Sequence, residues 1–241
     1  MGEQQPVEAV SIEMPPTWTE VQGTEPAIAA LARATLASLE EQGFNPDPAE
    51  RRRLEAAFGR LRAAVQLSGI SSLGLFADLL SADEATSEST PEVLYATCAV
   101  RNITKSDLQT ELPLAPEVLM AALSQGNSPK DLLTSRHQYI ALEEPKIVDI
   151  PAGRSLLLRE LLEYKKNLAE VVSLYTQTYF VAHDQRFDKL TIMQMSTPNV
   201  GLSREFSGIF HSIARSLAFI RVGDPSLALD LAAPQAEHPK A

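Results

Sequence analysis

The sequence predicts an α+β fold built on a mainly antiparallel sheet, and two observations carry this prediction. Segments with strand-like composition follow one another in runs, without the regular strand–helix alternation of a doubly wound fold. The helical segments are few, and each has its own starting and terminating residues. With 241 residues, of which 44% are hydrophobic and 22% charged, the chain can bury a core of normal size.

The first segment predicts two short strands. Residues 7–14 alternate with a period of two, which is typical of a half-buried strand. Pro15 and Pro16 end this strand, because proline has no backbone donor and restricts the residue before it. The following "TWTEV" predicts a short strand that pairs antiparallel with the first.

A pair of helices is predicted within residues 25–68. The first begins with Thr24 as a hydroxyl cap, followed by Glu-Pro, and ends at Gly43. The second begins with the capping-box sequence that starts at Asp47 and ends at Gly69. Apolar residues recur on one face of each helix, as in helices that pack against a core.

The middle of the chain predicts two more strands and two short helices. "ISSLGLFADLLS" and "EVLYATCAVRNIT" are rich in apolar and β-branched residues, and "ADEATSESTP" has the composition of a loop between them. Residues 116–123 predict a short helix that ends at Gly126. The sequence at residues 128–131 predicts the start of another.

Four antiparallel strands and a long helix are predicted next. Pro151-Ala152-Gly153 predicts a tight turn between two strands, although "SLLLRELLEY" alone also fits a helix. "AEVVSLYTQTYFVA" is the clearest strand, "HDQRFD" predicts a turn, and "KLTIMQMST" predicts the returning strand. One face of the clearest strand consists of Val172, Leu174, Thr176, Thr178 and Phe180.

Ser203 is predicted to cap the last helix. The apolar stripe of this helix is Phe206, Ile209, Phe210, Ile213 and Leu217. At about 100° per residue, His211 lies roughly 140° from the centre of that stripe, so it is predicted to point to water. We therefore predict a partner-binding surface on the outward face of the helix, made of Arg204, His211 and Arg215.

One domain is predicted over residues 1–222, because no linker-like stretch divides this part of the chain. Alanine, proline and scattered acids dominate residues 223–241 and predict a disordered tail. The net charge of −10 argues against nucleic acid as a partner. No apolar run reaches the ~18 residues that span a bilayer, and the N-terminus has no leader pattern, so a cytoplasmic location is expected.

The search for chemistry yields no committed catalytic, cofactor or metal site. Glycine motifs of nucleotide-binding loops are absent, and no two histidines have metal-ligand spacing on a helix. His183, Asp184 and Asp188 are close in sequence, but a polar turn explains them. Cys98 lies in an apolar strand and is predicted to be a core residue. A nucleophilic pairing of Cys98 with His137 in space stays open as an alternative.

Several blocks resemble a known set of proteins. These are "VSIEMPPTW", "IVDIPAGRSLLLRE" and "LTIMQMSTPN" followed by "FSGIFHSIARSLAFI". They resemble uncharacterised actinobacterial proteins and, more distantly, the mycobacterial LpqN-type lipoproteins. The most specific positions are Thr197, Pro198, Ile213, Ala214, Ser216 and Leu217. The resemblance implies a PsbP-like α/β/α sandwich with helices on both faces of the sheet, used mostly for binding partners. No functional residue is carried over.

The function expected from these observations is a non-enzymatic binding or accessory module with a protein partner and no cofactor. The resemblance implies a link to a secretion or envelope-associated system. Two alternatives stay open. One is a carrier of a small molecule or lipid between sheet and helices; the other is a hydrolase that uses Cys98 or a histidine–acid pair.

Overall fold

The computed structural model describes residues 7–21, 23–67, 69–80, 92–108, 110–124, 138–167, 170–183 and 187–221. The strands are β1 (Val7–Ser11), β2 (Trp18–Glu20), β3 (Ile70–Leu80), β4 (Glu92–Thr104), β5 (Gln138–Ala141), β6 (Lys146–Ile150), β7 (Gly153–Asn167), β8 (Glu170–Ala182), β9 (Lys189–Thr197) and β10 (Ala218–Arg221). The helices are α1 (Glu25–Glu41), α2 (Pro48–Val65), α3 (Pro116–Ser124) and α4 (Ser203–Arg215), and a 3-10 turn (Val200–Leu202) precedes α4.

The sheet confirms the predicted α+β class. Eight strands form one sheet in the order β2-β3-β4-β9-β8-β7-β5, and β6 also pairs with β7. Every neighbouring pair in this sheet is antiparallel. A separate two-stranded sheet joins β1 and β10. Sequential strands are neighbours along most of the large sheet, as short connections favour.

Helices cover both faces of the large sheet, as the resemblance implied. Side chains of β8 alternate between the faces: Tyr179 packs with α4, whereas Phe180 packs in the cluster that contains α3. The helices α1 and α2 cover the same face as α3, over Leu73 of β3 and Tyr95 of β4. The sheet is therefore buried between two apolar layers, with α4 alone among the described helices on its face.

The predicted caps of α1 and α2 are confirmed. The Thr24 hydroxyl accepts from the Ala27 amide at 3.4 Å, and an Asp47 carboxylate oxygen accepts from the Ala49 amide at 2.7 Å. After α2, Gly69 has a φ of 78°, and a Cβ there would lie 2.0 Å from the Asn102 carbonyl oxygen. Only glycine fits this position, since both the backbone angle and the close approach exclude a side chain.

The predicted pairing of the first two strands is wrong. β1 pairs with β10, with Val10 opposite Phe219, whereas β2 pairs with β3, with Trp18 opposite Phe76. The Trp18 amide donates to the Pro15 carbonyl at 2.8 Å, so a turn redirects the chain between β1 and β2. Trp18 is buried in the apolar cluster that also contains Phe206 and Phe210 of α4. This burial holds β2 at the edge of the large sheet.

The ambiguous segment "SLLLRELLEY" forms the strand β7. β7 pairs with β8 along most of its length and with β5 and β6 on its other edge. Both faces are covered over residues 156–158, so a continuous apolar run is compatible with a strand there. The local pattern of this segment fits either a helix or a strand, and hydrogen-bonded pairing on both edges makes it a strand.

Some predictions lie outside the described residues. They concern the loop at residues 82–91, Gly126, the helix start at residues 128–131, His137 and the tail at residues 223–241. The single domain over residues 1–222 stays a prediction.

Candidate functional site

The helix α4 packs through a face close to the predicted one. Phe206, Phe210 and Ile213 are buried, and the Phe210 ring stacks on Tyr175 of β8 with centroids 6.2 Å apart. Ile209 was placed in the apolar stripe, but it is 39% exposed, whereas Ala214 is fully buried. The contact face is rotated towards Ala214, because the large rings of Phe206 and Phe210 fill the space above the sheet.

Ser203 is not the cap of α4. Residue 202 occupies the cap position without a side-chain hydrogen bond, and Ser203 is already helical. The reason is the preceding 3-10 turn, in which the Leu202 amide donates to the Asn199 carbonyl at 3.0 Å. This turn leads the backbone into the helix, so no hydroxyl is needed at its start.

His211 does not point to water as predicted. It is half-buried, and its Nδ1 lies 3.0 Å from the Tyr179 hydroxyl. Arg204 and Arg215 are exposed as predicted, and no ion pair joins either of them to another residue in the described ranges. We call Arg204, His211 and Arg215 the α4 outer face; its role as a partner surface stays a prediction.

A buried amide, Gln177 of β8, lies beneath α4. Its Oε1 accepts from the Tyr175 hydroxyl at 2.8 Å, from the Ser207 hydroxyl at 3.0 Å and from Arg159 Nε at 3.3 Å. Its Nε2 donates to the Tyr179 hydroxyl at 2.6 Å. Because Tyr179 accepts there, its own proton is available to His211 Nδ1.

This network reaches the surface through an ion pair. Arg159 Nη1 lies 2.7 Å from a Glu143 carboxylate oxygen, and Lys146 also contacts that carboxylate. Hydrogen bonding to Lys146 and Arg159 lowers the pKa of Glu143. We name Glu143, Arg159, Tyr175, Gln177, Tyr179 and Ser207 the Gln177 network, which joins β7, β8 and α4 under the α4 outer face.

The Gln177 network is suited to fixing α4 and not to catalysis. Burial raises the pKa of Tyr175 and raises that of Tyr179 to about 12. Both hydroxyls therefore stay protonated, and a general base would need the opposite shift. Sequence reasoning missed these residues. The available signal was Tyr-x-Gln-x-Tyr on the second face of β8, where a polar residue interrupts two aromatic residues.

Cys98 lies in the core, as expected. It is fully buried beside Met195 of β9, and burial raises the pKa of its thiol to about 12. A nucleophilic cysteine needs a lowered pKa and access to a substrate. These properties disfavour the hydrolase alternative that uses Cys98.

His183 has an interior hydrogen-bond partner. Its Nε2 lies 2.7 Å from the Thr191 hydroxyl, and that hydroxyl donates to Asn102 Oδ1 at 2.7 Å. The centroid of the His183 ring lies 4.6 Å from that of the Phe219 ring. Since the Thr191 proton goes to Asn102, His183 Nε2 is the donor. Across the described ranges, no group of three or more His, Cys, Asp or Glu side chains is placed to hold a metal ion; Asp184 lies outside them.

The carrier alternative needs a cavity between sheet and helices. The space between α2 and the sheet, lined by Arg60, Ala64 and Gln194, has a volume of about 10 Å³. That is room for one water at most, whereas ligand pockets usually have ~300–1,000 Å³. The space under α2 therefore does not support a carrier function, whereas the clefts beside α1 and α3, of about 250 and 230 Å³, leave that alternative open. Across the helices of the described ranges, none is both long and apolar enough to cross a membrane.

Comparison with known proteins gives a distant structural likeness. No family model and no curated protein matches the chain. The crystal structure of LpqN, involved in cell envelope biogenesis of Mycobacterium tuberculosis, has a TM-score of 0.43 and 7% identity, covering 90% of this chain and 86% of that one. The cyanobacterial PsbP of Synechocystis sp. PCC 6803 has a TM-score of 0.33 and 15% identity, covering 64% and 95%. The predicted distant resemblance is confirmed; at these scores neither likeness carries an argument about function.

Proposed function

We propose that the chain is a non-enzymatic binding module that contacts a protein partner through the α4 outer face. The observation that carries this proposal is the contrast between the two sides of α4. On the outside, Arg204 and Arg215 are exposed, with no ion pair to the described part of the chain. On the inside, polar groups such as Gln177 are held in hydrogen bonds.

The α4 outer face is presented by a rigid support. Phe206, Phe210 and Ile213 anchor the helix in the core, and Ser207 ties it to Gln177. Arg204 and Arg215 are separated by eleven positions, about 16 Å along the helix. A rigid helix loses little conformational entropy on binding, so its exposed side chains bind more tightly than those of a mobile loop.

Electrostatics indicate the kind of partner. The chain carries a net charge of −10, yet the α4 outer face places two arginines and a histidine on one stripe. Arginine is enriched at protein interfaces and pairs well with carboxylates. A partner with an acidic patch therefore fits this helix and is repelled by much of the remaining surface.

Two wider parts of the proposal concern the process and the location. The link to an envelope-associated or secretion system comes from the resemblance in the sequence blocks, and we propose a cytoplasmic location alongside it. Fractionation of the source cells tests the location, and identification of the captured partner tests the process.

The proposal is tested by reversing charge on α4. An Arg204→Glu/Arg215→Glu variant is compared with an Arg33→Glu/Lys189→Glu variant, which changes the net charge equally at exposed positions elsewhere. Affinity capture from native lysate should recover a partner with the parent chain and with the control, and lose it with the α4 variant. Equal recovery by all three chains would refute the proposal.

A further inference from the structure

One edge of the large sheet is open beside α1. β2 pairs with β3 only as far as Phe76, whereas β3 pairs with β4 as far as Leu80. The turn that joins the Trp18 amide to the Pro15 carbonyl takes the chain away from β3 at this point. Within the ranges that the structure describes, no strand pairs with the outer edge of residues 77–80.

The backbone groups at this edge have a defined direction. The Val21 amide donates to the Leu73 carbonyl at 2.9 Å, so Leu73 and every second residue after it turn their backbone groups towards the β2 side. The amides and carbonyls of Ala77 and Leu79 therefore face the open edge. Such a row is a template for a further strand.

A cleft lies between α1 and this edge. It has a volume of about 250 Å³, just below that of usual small-molecule pockets. A strand added along residues 77–80 would direct every second side chain, about two in all, towards the α1 side. Most of the lining is apolar or hydroxylic, which suits small aliphatic or hydroxyl side chains. It includes Leu31, Thr35, Ser38 and Ala77, and Gln42 and Asp78 also line it.

The same edge carries an acidic residue. Asp78 is exposed and borders the cleft beside Ala77. The chain as a whole carries a net charge of −10, so an added strand is favoured when it carries lysine or arginine. A second copy of this chain brings the same edge and a net charge of −10, which disfavours self-pairing.

We propose that the open edge of β3 and the α1 cleft bind an extended segment of a partner protein. The segment adds to the sheet as a strand and alternates small aliphatic or hydroxyl residues with lysine or arginine. Main-chain hydrogen bonds to Ala77 and Leu79 supply affinity, and the cleft and the negative charge of the chain supply specificity. This site shares no residue with the α4 outer face, so an experiment can refute one of the two proposals without refuting the other.

The probe is the blocked peptide Lys-Val-Lys-Val-Lys, titrated into the full chain and followed by NMR. Hydrogen exchange at the Ala77 and Leu79 amides should slow at least about ten-fold, because an unpaired amide gains a partner. The matched peptide Glu-Val-Glu-Val-Glu should bind about ten-fold or more weakly, which corresponds to ~1.4 kcal/mol. Unchanged exchange at both amides, or equal binding of the two peptides, overturns the proposal.

Two variants of exposed alanines on α1 test the cleft. Ala34→Trp places an indole in the cleft, whereas Ala37→Trp places one outside its lining, so the second variant controls for a surface tryptophan. Peptide binding should fall at least about ten-fold in the first and persist in the second. Equal binding by both, or a concentration-dependent dimer that only Ala34→Trp abolishes, overturns the proposal, the latter in favour of self-pairing.

Discussion

The Tyr179 hydroxyl lies 3.0 Å from His211 Nδ1 and accepts from Gln177 Nε2 at 2.6 Å, and so joins the sheet to α4. We predict that Tyr179→Phe lowers the free energy of unfolding by about 1–3 kcal/mol, because the buried Gln177 amide loses its acceptor. The measurement is urea unfolding followed by the fluorescence of Trp18, the chain's single tryptophan. The control is Ser212→Ala at an exposed position of α4, with an expected change within ~0.5 kcal/mol. Parent-like stability of Tyr179→Phe would show that the bond does not hold α4.

Phe210 and Ile209 are adjacent residues that the structure separates sharply. Phe210 is fully buried and Ile209 is 39% exposed. Phe210→Ala should cost about 3–5 kcal/mol of unfolding free energy, because it leaves a cavity under α4. Ile209→Ala should cost less than ~1 kcal/mol. Denaturant unfolding of both variants measures the difference, and similar costs for the two would contradict the orientation of α4.

Cys98 should be chemically inert in the folded chain. Burial raises the pKa of its thiol to about 12, so almost no thiolate exists at pH 8. Iodoacetamide should label the urea-unfolded chain readily and the native chain only as fast as it unfolds. Because Cys98 is the single cysteine, the labelled mass reports on this residue alone. Fast native labelling at pH 8 would restore the thiol as a candidate nucleophile.

The same thiol makes stability depend on alkaline pH. The Cys98 pKa is raised in the folded chain from its ordinary value of 9.0 to about 12. The unfolded chain therefore loses the thiol proton first, and the contribution present below pH 9 is lost as the pH rises towards 12. Cys98→Ala should show a smaller fall in unfolding free energy between pH 8 and 10. An identical pH slope in parent and variant would be inconsistent with this shift.

Asn199 holds the start of α4 against β4. Its Oδ1 accepts from the Tyr95 amide at 2.8 Å, and its Nδ2 donates to the Val93 carbonyl at 3.0 Å. Asn199→Asp replaces that donor with an oxygen in a buried position, so we expect a loss of about 2 kcal/mol or more. Asn45→Asp makes the same chemical change at an exposed position and should be nearly neutral. Thermal and urea unfolding measure both.

Local patterns predicted much of this fold, because their causes are local. The caps at Thr24 and Asp47 act within three residues, and the alternation along β8 follows from strand geometry alone. The partner of β1 was not predictable in that way. β1 pairs with β10 across most of the chain, and the Glu13 amide donates to the Ser216 hydroxyl at 2.9 Å.

The candidate site was predicted only in part. The α4 outer face follows from helical periodicity, which identified Arg204 and Arg215 as exposed. The hydrogen bonds of Gln177 needed the structure, because Arg159 and Ser207 come from two other elements. These polar groups are stable in the interior only when β7, β8 and α4 pack together, because each group takes its hydrogen-bond partner from another element. A local sequence pattern does not contain these tertiary contacts.

The central claim, that the α4 outer face binds a protein partner, is tested most directly by photo-crosslinking in the source cell. A photoreactive amino acid at Ser212, exposed on α4, is compared with one at Ala37, exposed on α1. The α4 probe should give one dominant crosslinked protein, absent from the α1 probe and lost with Arg204→Glu/Arg215→Glu. No crosslink from Ser212, or the same products from both positions, would contradict the claim.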